Sequence, residues 1–76
     1  MTNNLNEMTP EQIDQSYSAA MDSVNLINGD KPLGVTDAEW ADTVARNVEH
    51  LEIMVAKDFW TAAHDLQPMH DAIAKG

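Results

Sequence analysis

The sequence predicts an all-α domain, in which two antiparallel helices are followed by a short C-terminal helix packed across them. Two capping-box signatures, Thr9-x-x-Gln12 and Thr36-x-x-Glu39, each precede apolar residues at helical intervals. A short segment rich in glycine and proline separates the two, and short connections favour antiparallel neighbours. The chain has 76 residues, which is the length of a single domain.

The first helix is predicted from Pro10 to Asn28. Thr9 is its expected N-cap, proline is favoured at the first helical position, and Gly29 follows the end. Its apolar face comprises Ile13, Tyr17, Ala20, Met21, Val24 and Ile27. Residues 1–8 lack this period, so we expect a flexible N-terminal arm over 1–8 and a single helical domain over 9–76.

The second helix is predicted to begin at Thr36 and Asp37, after a turn over residues 29–35 whose Leu33 and Val35 should pack back onto the helices. At about 100° per residue, Ile53 projects almost opposite the apolar face of this helix. That face comprises Trp40, Ala41, Val44, Val48, Leu51, Val55 and Phe59.

The third helix is predicted to begin near Asp65 or Gln67, with Pro68 in its first turn. Between the second and third helices, residues 61–64 indicate a turn. Helices this short are marginal in water, so the third helix must dock on the rest of the domain. Phe59 and Trp60 are the expected docking surface.

The charge is strongly acidic, with 13 Asp and Glu against 4 Lys and Arg and a net charge of -9. Residues 1–30 contain five acids and no Lys or Arg, and no third of the chain is basic. Nucleic-acid binding depends on cations that neutralise phosphates, so direct binding of nucleic acid or of an anionic membrane is disfavoured. A basic protein surface is the complementary partner, although the acidity is equally consistent with a role in solubility alone.

No catalytic, cofactor-binding or metal-binding residues are predicted, and we expect the chain not to be an enzyme. The absence of cysteine excludes disulfides and thiol nucleophiles. His50, His64 and His70 lack the i, i+3 or i+4 spacing of helical metal ligands. The serines lie on or beside the first helix, without the strained turn that exposes a catalytic serine.

Two sets of residues are the candidates for contact with a partner. The first is acidic and lies on the first helix: Glu11, Asp14 and Asp22. The second is apolar and lies toward the end of the second helix: Ile53, Met54 and Trp60.

Trp40 and Phe59 are interpreted as core residues, whereas Trp60 fits the core and an interface equally well. Because a chain of this size has a small core, self-association into a homo-oligomer through leftover apolar surface is a further expectation.

The C-terminal half contains a recognisable series of motifs. Residues 46–54 are Arg-Asn-Val-Glu-His-Leu-Glu-Ile-Met, 57–61 are Lys-Asp-Phe-Trp-Thr, 65–68 are Asp-Leu-Gln-Pro and 72–76 are Ala-Ile-Ala-Lys-Gly. This series, over about residues 36–76, resembles a recurrent ending of small accessory proteins of tailed bacteriophages. The resemblance implies a phage or prophage origin and supplies no catalytic residues.

The leading functional hypothesis is therefore a non-enzymatic phage protein that binds another protein, as a virion-associated or assembly component. The alternative is an acidic inhibitor of a host nucleic-acid-binding protein of the transcription or defence machinery. No apolar run is long enough to span a membrane. The expected location is the host bacterial cytoplasm, or the virion.

Overall fold

A computed structural model describes residues 8–76, and the predicted arm over 1–8 lies outside this range except for Met8. The described part of the chain consists of α1 (Pro10–Asn28), α2 (Asp37–Val55) and α3 (Gln67–Lys75), with no strands. α3 packs against both longer helices. The all-α prediction is confirmed, as are both ends of α1.

Both long helices begin with a complete capping box. In α1, the backbone N–H of Gln12 donates to Oγ1 of Thr9 at 3.1 Å, and the N–H of Thr9 donates to Oε1 of Gln12 at 2.9 Å. Glu39 and Thr36 exchange the same two bonds, at 3.1 and 2.9 Å, at the start of α2. Local sequence therefore fixes where each long helix starts.

The α1–α2 connection corrects one prediction. Leu33 is 102% exposed and does not pack on the helices. The N–H of Val35 donates to the carbonyl of Pro32 at 3.3 Å, and Gly34 has a φ of 86°. This tight turn depends on the left-handed conformation that glycine adopts without strain, and it places Leu33 at the tip, away from the core.

The core is formed where all three helices meet. Its buried cluster comprises Ala20, Val24, Ile27, Leu51, Met69 and Ala72. Leu51 of α2 and Met69 of α3 are the largest side chains that are fully buried. The short third helix thus completes the core, which explains how a helix too short to persist alone is held in place.

The apolar spacing predicts that α2 continues to Phe59, and this is wrong, because α2 ends at Val55. The carbonyl of Met54 accepts from the backbone N–H of Lys57 at 3.1 Å and from Nε1 of Trp60 at 2.8 Å. The chain therefore turns back. The Trp60 ring lies 5.9 Å from that of Tyr17 in the first half of α1, so the segment after α2 packs beside that half of α1.

Candidate partner-binding surfaces

An open apolar groove lies between α2 and the end of α3. It has a volume of about 550 Å³. Its lining comprises Trp40, Ala41, Val44, Ala45, Val48, Lys75 and Gly76. Apart from the indole and backbone groups, Lys75 supplies the only polar side chain among the lining residues within 8–76, so the groove suits apolar side chains of a ligand.

The groove arises because the apolar arc of α2 is wider than α1 and α3 can cover. Leu51 faces the core, whereas Ala41 and Ala45 lie farther round the helix and are exposed. The other wall is the end of α3. A Cβ added at Gly76 would overlap Cγ2 of Val48 and lie 3.4 Å from Cγ1 of Val44, so this backbone lies directly against the two valines.

Trp40 belongs to this groove rather than to the core, which corrects the sequence-based interpretation. Its side chain is half-buried and is not among the residues packed on the core cluster, whereas Trp60 is. Phe59 is also outside that set and packs edge-to-face on Trp60, with ring centroids 4.7 Å apart. Phe59 does not continue the apolar face of α2, because the helix ends before it, at Val55.

Charged side chains flank the groove along α2. Asp37 binds Lys31 at 2.6 Å, and Asp42 binds Arg46 at 3.1 Å, the i, i+4 pair that the sequence predicts. Glu49 and Glu52 are exposed and form no ion pair within residues 8–76.

The predicted acidic candidates lie on one side of α1. Glu11, Asp14 and Asp22 are all exposed, and helical geometry places them within a sector of about 80°. Asp14 is also engaged within the fold, since its Oδ1 lies 2.8 Å from Nε2 of His64. Part of this acidic face therefore holds the segment between α2 and α3.

His64 connects that segment to α1. Its side chain is 9% exposed, and its ring lies 5.1 Å from Tyr17. The backbone N–H of Thr61 donates to Nδ1 at 3.4 Å, and Oγ1 of Thr61 lies 2.9 Å from the same nitrogen. The hydroxyl of Tyr17 donates to the carbonyl of Asp65 at 2.7 Å. These contacts place His64 in a structural role.

The second set of predicted candidates is divided between surface and core. Ile53 is 53% exposed, as its position opposite the apolar face predicts. Met54 and Trp60 are half-buried and pack against the core cluster. Only Ile53 of this set is openly available to a partner.

One carboxyl group has a clearly shifted titration. The backbone N–H of Thr36, and to a smaller extent its side chain, stabilise the charged form of Glu39 and lower its pKa below the ordinary value. This shift belongs to the capping box of α2. It therefore reflects helix initiation rather than acid–base chemistry.

Within residues 8–76, no three His, Asp or Glu side chains converge to hold a metal ion. No helix in this range has the length and apolar character needed to cross a membrane. The described surfaces include an apolar groove, an acidic helix face and two exposed large apolar side chains, Leu33 and Ile53.

Sequence reasoning missed the groove, although a signal for it exists. Ala41 and Ala45 broaden the apolar arc of α2 beyond the width that a two-helix core needs. It also missed the pairing of Asp14 with His64, which are 50 positions apart.

Comparisons of the chain with protein families, curated proteins and solved structures found no match.

Proposed function

We propose that this chain is a non-enzymatic, phage-encoded protein that binds another protein, as a virion-associated or assembly component. The groove beside Trp40 is the observation that carries this proposal. It is open along α2, and apolar groups dominate its lining. Small-molecule sites typically enclose most of the ligand and orient it with several convergent polar groups, so this groove better suits a protein surface.

The phage origin rests on the resemblance of residues 36–76 to the endings of small phage proteins. The groove draws its α2 and α3 residues from this same half of the chain. The action is accordingly proposed in the host bacterial cytoplasm or in the virion.

The test is affinity capture with the tagged full chain, using purified phage particles and host lysate in parallel at low and high salt. Contacts in an apolar groove should persist at high salt, because salt screens charges and does not weaken apolar burial. Capture of a phage structural protein at both salt concentrations supports the proposal. Failure to capture any phage protein contradicts it.

A second candidate function is inhibition of a basic host protein. The acidic side of α1 favours it, since Glu11, Asp14 and Asp22 are exposed and no Lys or Arg occurs in residues 1–30. Such a face would occupy a groove that normally binds nucleic acid.

Salt dependence separates the two candidates. Binding through α1 should weaken steeply as salt rises, and the double variant Glu11→Gln/Asp22→Asn should lose it. Asp30→Asn/Asp58→Asn is the matched control, because it also neutralises two exposed carboxylates and lies outside both surfaces. Salt-resistant capture that the double variant retains would contradict the inhibitor role.

A further inference from the structure

We propose that the groove binds a basic amphipathic helix of the partner protein. The apolar side chains of this helix enter the groove between Trp40 and Val48. The Lys or Arg side chains of the helix lie over Glu49 and Glu52. This inference rests on the proposed function and specifies the chemistry of the partner at that site.

The dimensions of the groove favour a helix as the occupant. The lining on α2 extends over eight residue steps, from Trp40 to Val48, which corresponds to about 12 Å along the helix axis. The apolar anchors of an amphipathic helix, at i, i+3 or i+4 and i+7, span about 10 Å. One face of a helix laid along α2 therefore matches the groove in length.

The two carboxylates next to the groove, Glu49 and Glu52, are unpaired within residues 8–76, outnumber the one cation in its lining, Lys75, and favour a basic occupant. Glu49 follows Ala45 by four residues and Glu52 follows Val48 by four, so each glutamate lies one helical turn beyond a groove-lining residue. Both are exposed and form no ion pair in the described part of the chain. A cationic side chain that projects past the apolar anchors would meet them.

A second copy of this chain is a poorer occupant. Each copy has a net charge of -9, so association adds repulsion between two acidic molecules. A basic helix gains attraction where a second copy meets repulsion.

The experiment uses two synthetic helical peptides with the same leucines at i, i+4 and i+7. One has lysine at the solvent-facing positions and the other has glutamate. Binding to the full chain is followed by calorimetry and by amide chemical-shift changes. We expect the lysine peptide to bind with shifts centred on residues 40–48, and the glutamate peptide to bind at least about tenfold more weakly.

Two matched pairs of variants locate the binding surface. Ala45→Arg places a long cation in the groove, whereas Ala19→Arg adds the same charge at an exposed alanine of α1. Ala45→Arg should weaken binding of the lysine peptide by at least about tenfold and Ala19→Arg by less than about threefold. Glu49→Gln/Glu52→Gln should weaken binding by about threefold or more, and Glu11→Gln/Asp22→Asn should have the smaller effect.

Several results would overturn the inference. One is the absence of lysine-peptide binding at millimolar concentration. Another is an equal loss of affinity in Ala45→Arg and Ala19→Arg, or a larger loss in the α1 double variant. A third is a dimer in sedimentation that Ala45→Arg dissociates, because the groove is then filled by a second copy.

The proposed function can fail separately. If Ala45→Arg still captures the same phage protein as the unchanged chain, the groove inference is wrong and the protein-binding function stands. If the unchanged chain captures no phage protein, the proposed function is wrong whatever the peptides do.

Discussion

Two alanine substitutions, two residues apart and on opposite faces of α2, test the packing of the domain. Leu51 is 0% exposed and belongs to the core cluster, whereas Ile53 is 53% exposed. Leucine and isoleucine are isomers, so Leu51→Ala and Ile53→Ala each remove three carbon atoms. A difference in the free energy of unfolding between these variants therefore reports where each side chain lies.

The burial of each side chain sets the expected size of the effect. Truncation of a fully buried leucine costs about 3 kcal/mol, because apolar burial is lost and a cavity remains. At about 0.05–0.15 kcal/mol per residue, a chain of this size has a total stability of about 4–11 kcal/mol. For Ile53, partial burial contributes about 1 kcal/mol, and the better helix propensity of alanine returns about 0.4 kcal/mol.

Urea unfolding followed by far-UV circular dichroism measures both variants. With an m-value of about 1 kcal/mol/M, the midpoint of Leu51→Ala should fall by about 3 M and that of Ile53→Ala by less than about 1 M. Equal shifts, or a larger shift for Ile53→Ala, would refute the assignment of Leu51 to the buried face of α2 and of Ile53 to its exposed face.

Three further pairs of substitutions test the capping boxes and the contacts that hold residues 56–66 in place. The lowered pKa of Glu39 stabilises the fold above the ordinary glutamate pKa, and this contribution is lost as pH falls through the folded-state value. Glu39→Gln should therefore reduce the loss of Tm on acidification to about pH 3, and Gln12→Glu should increase that loss. If the two variants lose the same Tm on acidification, the pH dependence does not arise from the capping-box carboxylates. Asp14→Ala should lower the free energy of unfolding by up to about 1 kcal/mol, because it removes the carboxylate that accepts from His64. Its control, Asp22→Ala, should leave the free energy of unfolding almost unchanged in the same urea titration. Trp60→Phe should cost about 1 kcal/mol by removing the donor to the Met54 carbonyl, and a larger loss in the control Trp40→Phe would reverse the roles assigned to the two tryptophans.

The helices were predictable because their signals are local. Thr9 with Gln12 and Thr36 with Glu39 satisfy backbone groups within four residues, so the sequence alone contains the whole interaction. Gly29 follows α1 with a φ of -85°, so it does not adopt the left-handed conformation in which glycine commonly ends helices. The position of Ile53 on the surface follows from helical periodicity once α2 is in place.

The packing after α2 was not predictable in the same way. It depends on contacts between residues 48 and 50 positions apart, Tyr17 with Asp65 and Asp14 with His64. Helical periodicity also assumes that a helix continues, and here the bonds to the Met54 carbonyl end it before Phe59. This is why Phe59 does not take the core position that the apolar spacing predicts, whereas Trp60, for which core and interface were equally expected, packs against the core.

The groove could not be predicted from α2 alone, because α3 builds one of its walls. Met69 and Ala72 bury themselves against the core, and this docking brings Gly76 against Val44 and Val48. The same helix that completes the core therefore creates the proposed binding surface. A ligand in the groove would contact α2 and α3 together and would bind only the docked arrangement. Binding and the docking of α3 should consequently stabilise each other, since a ligand stabilises the state that it binds.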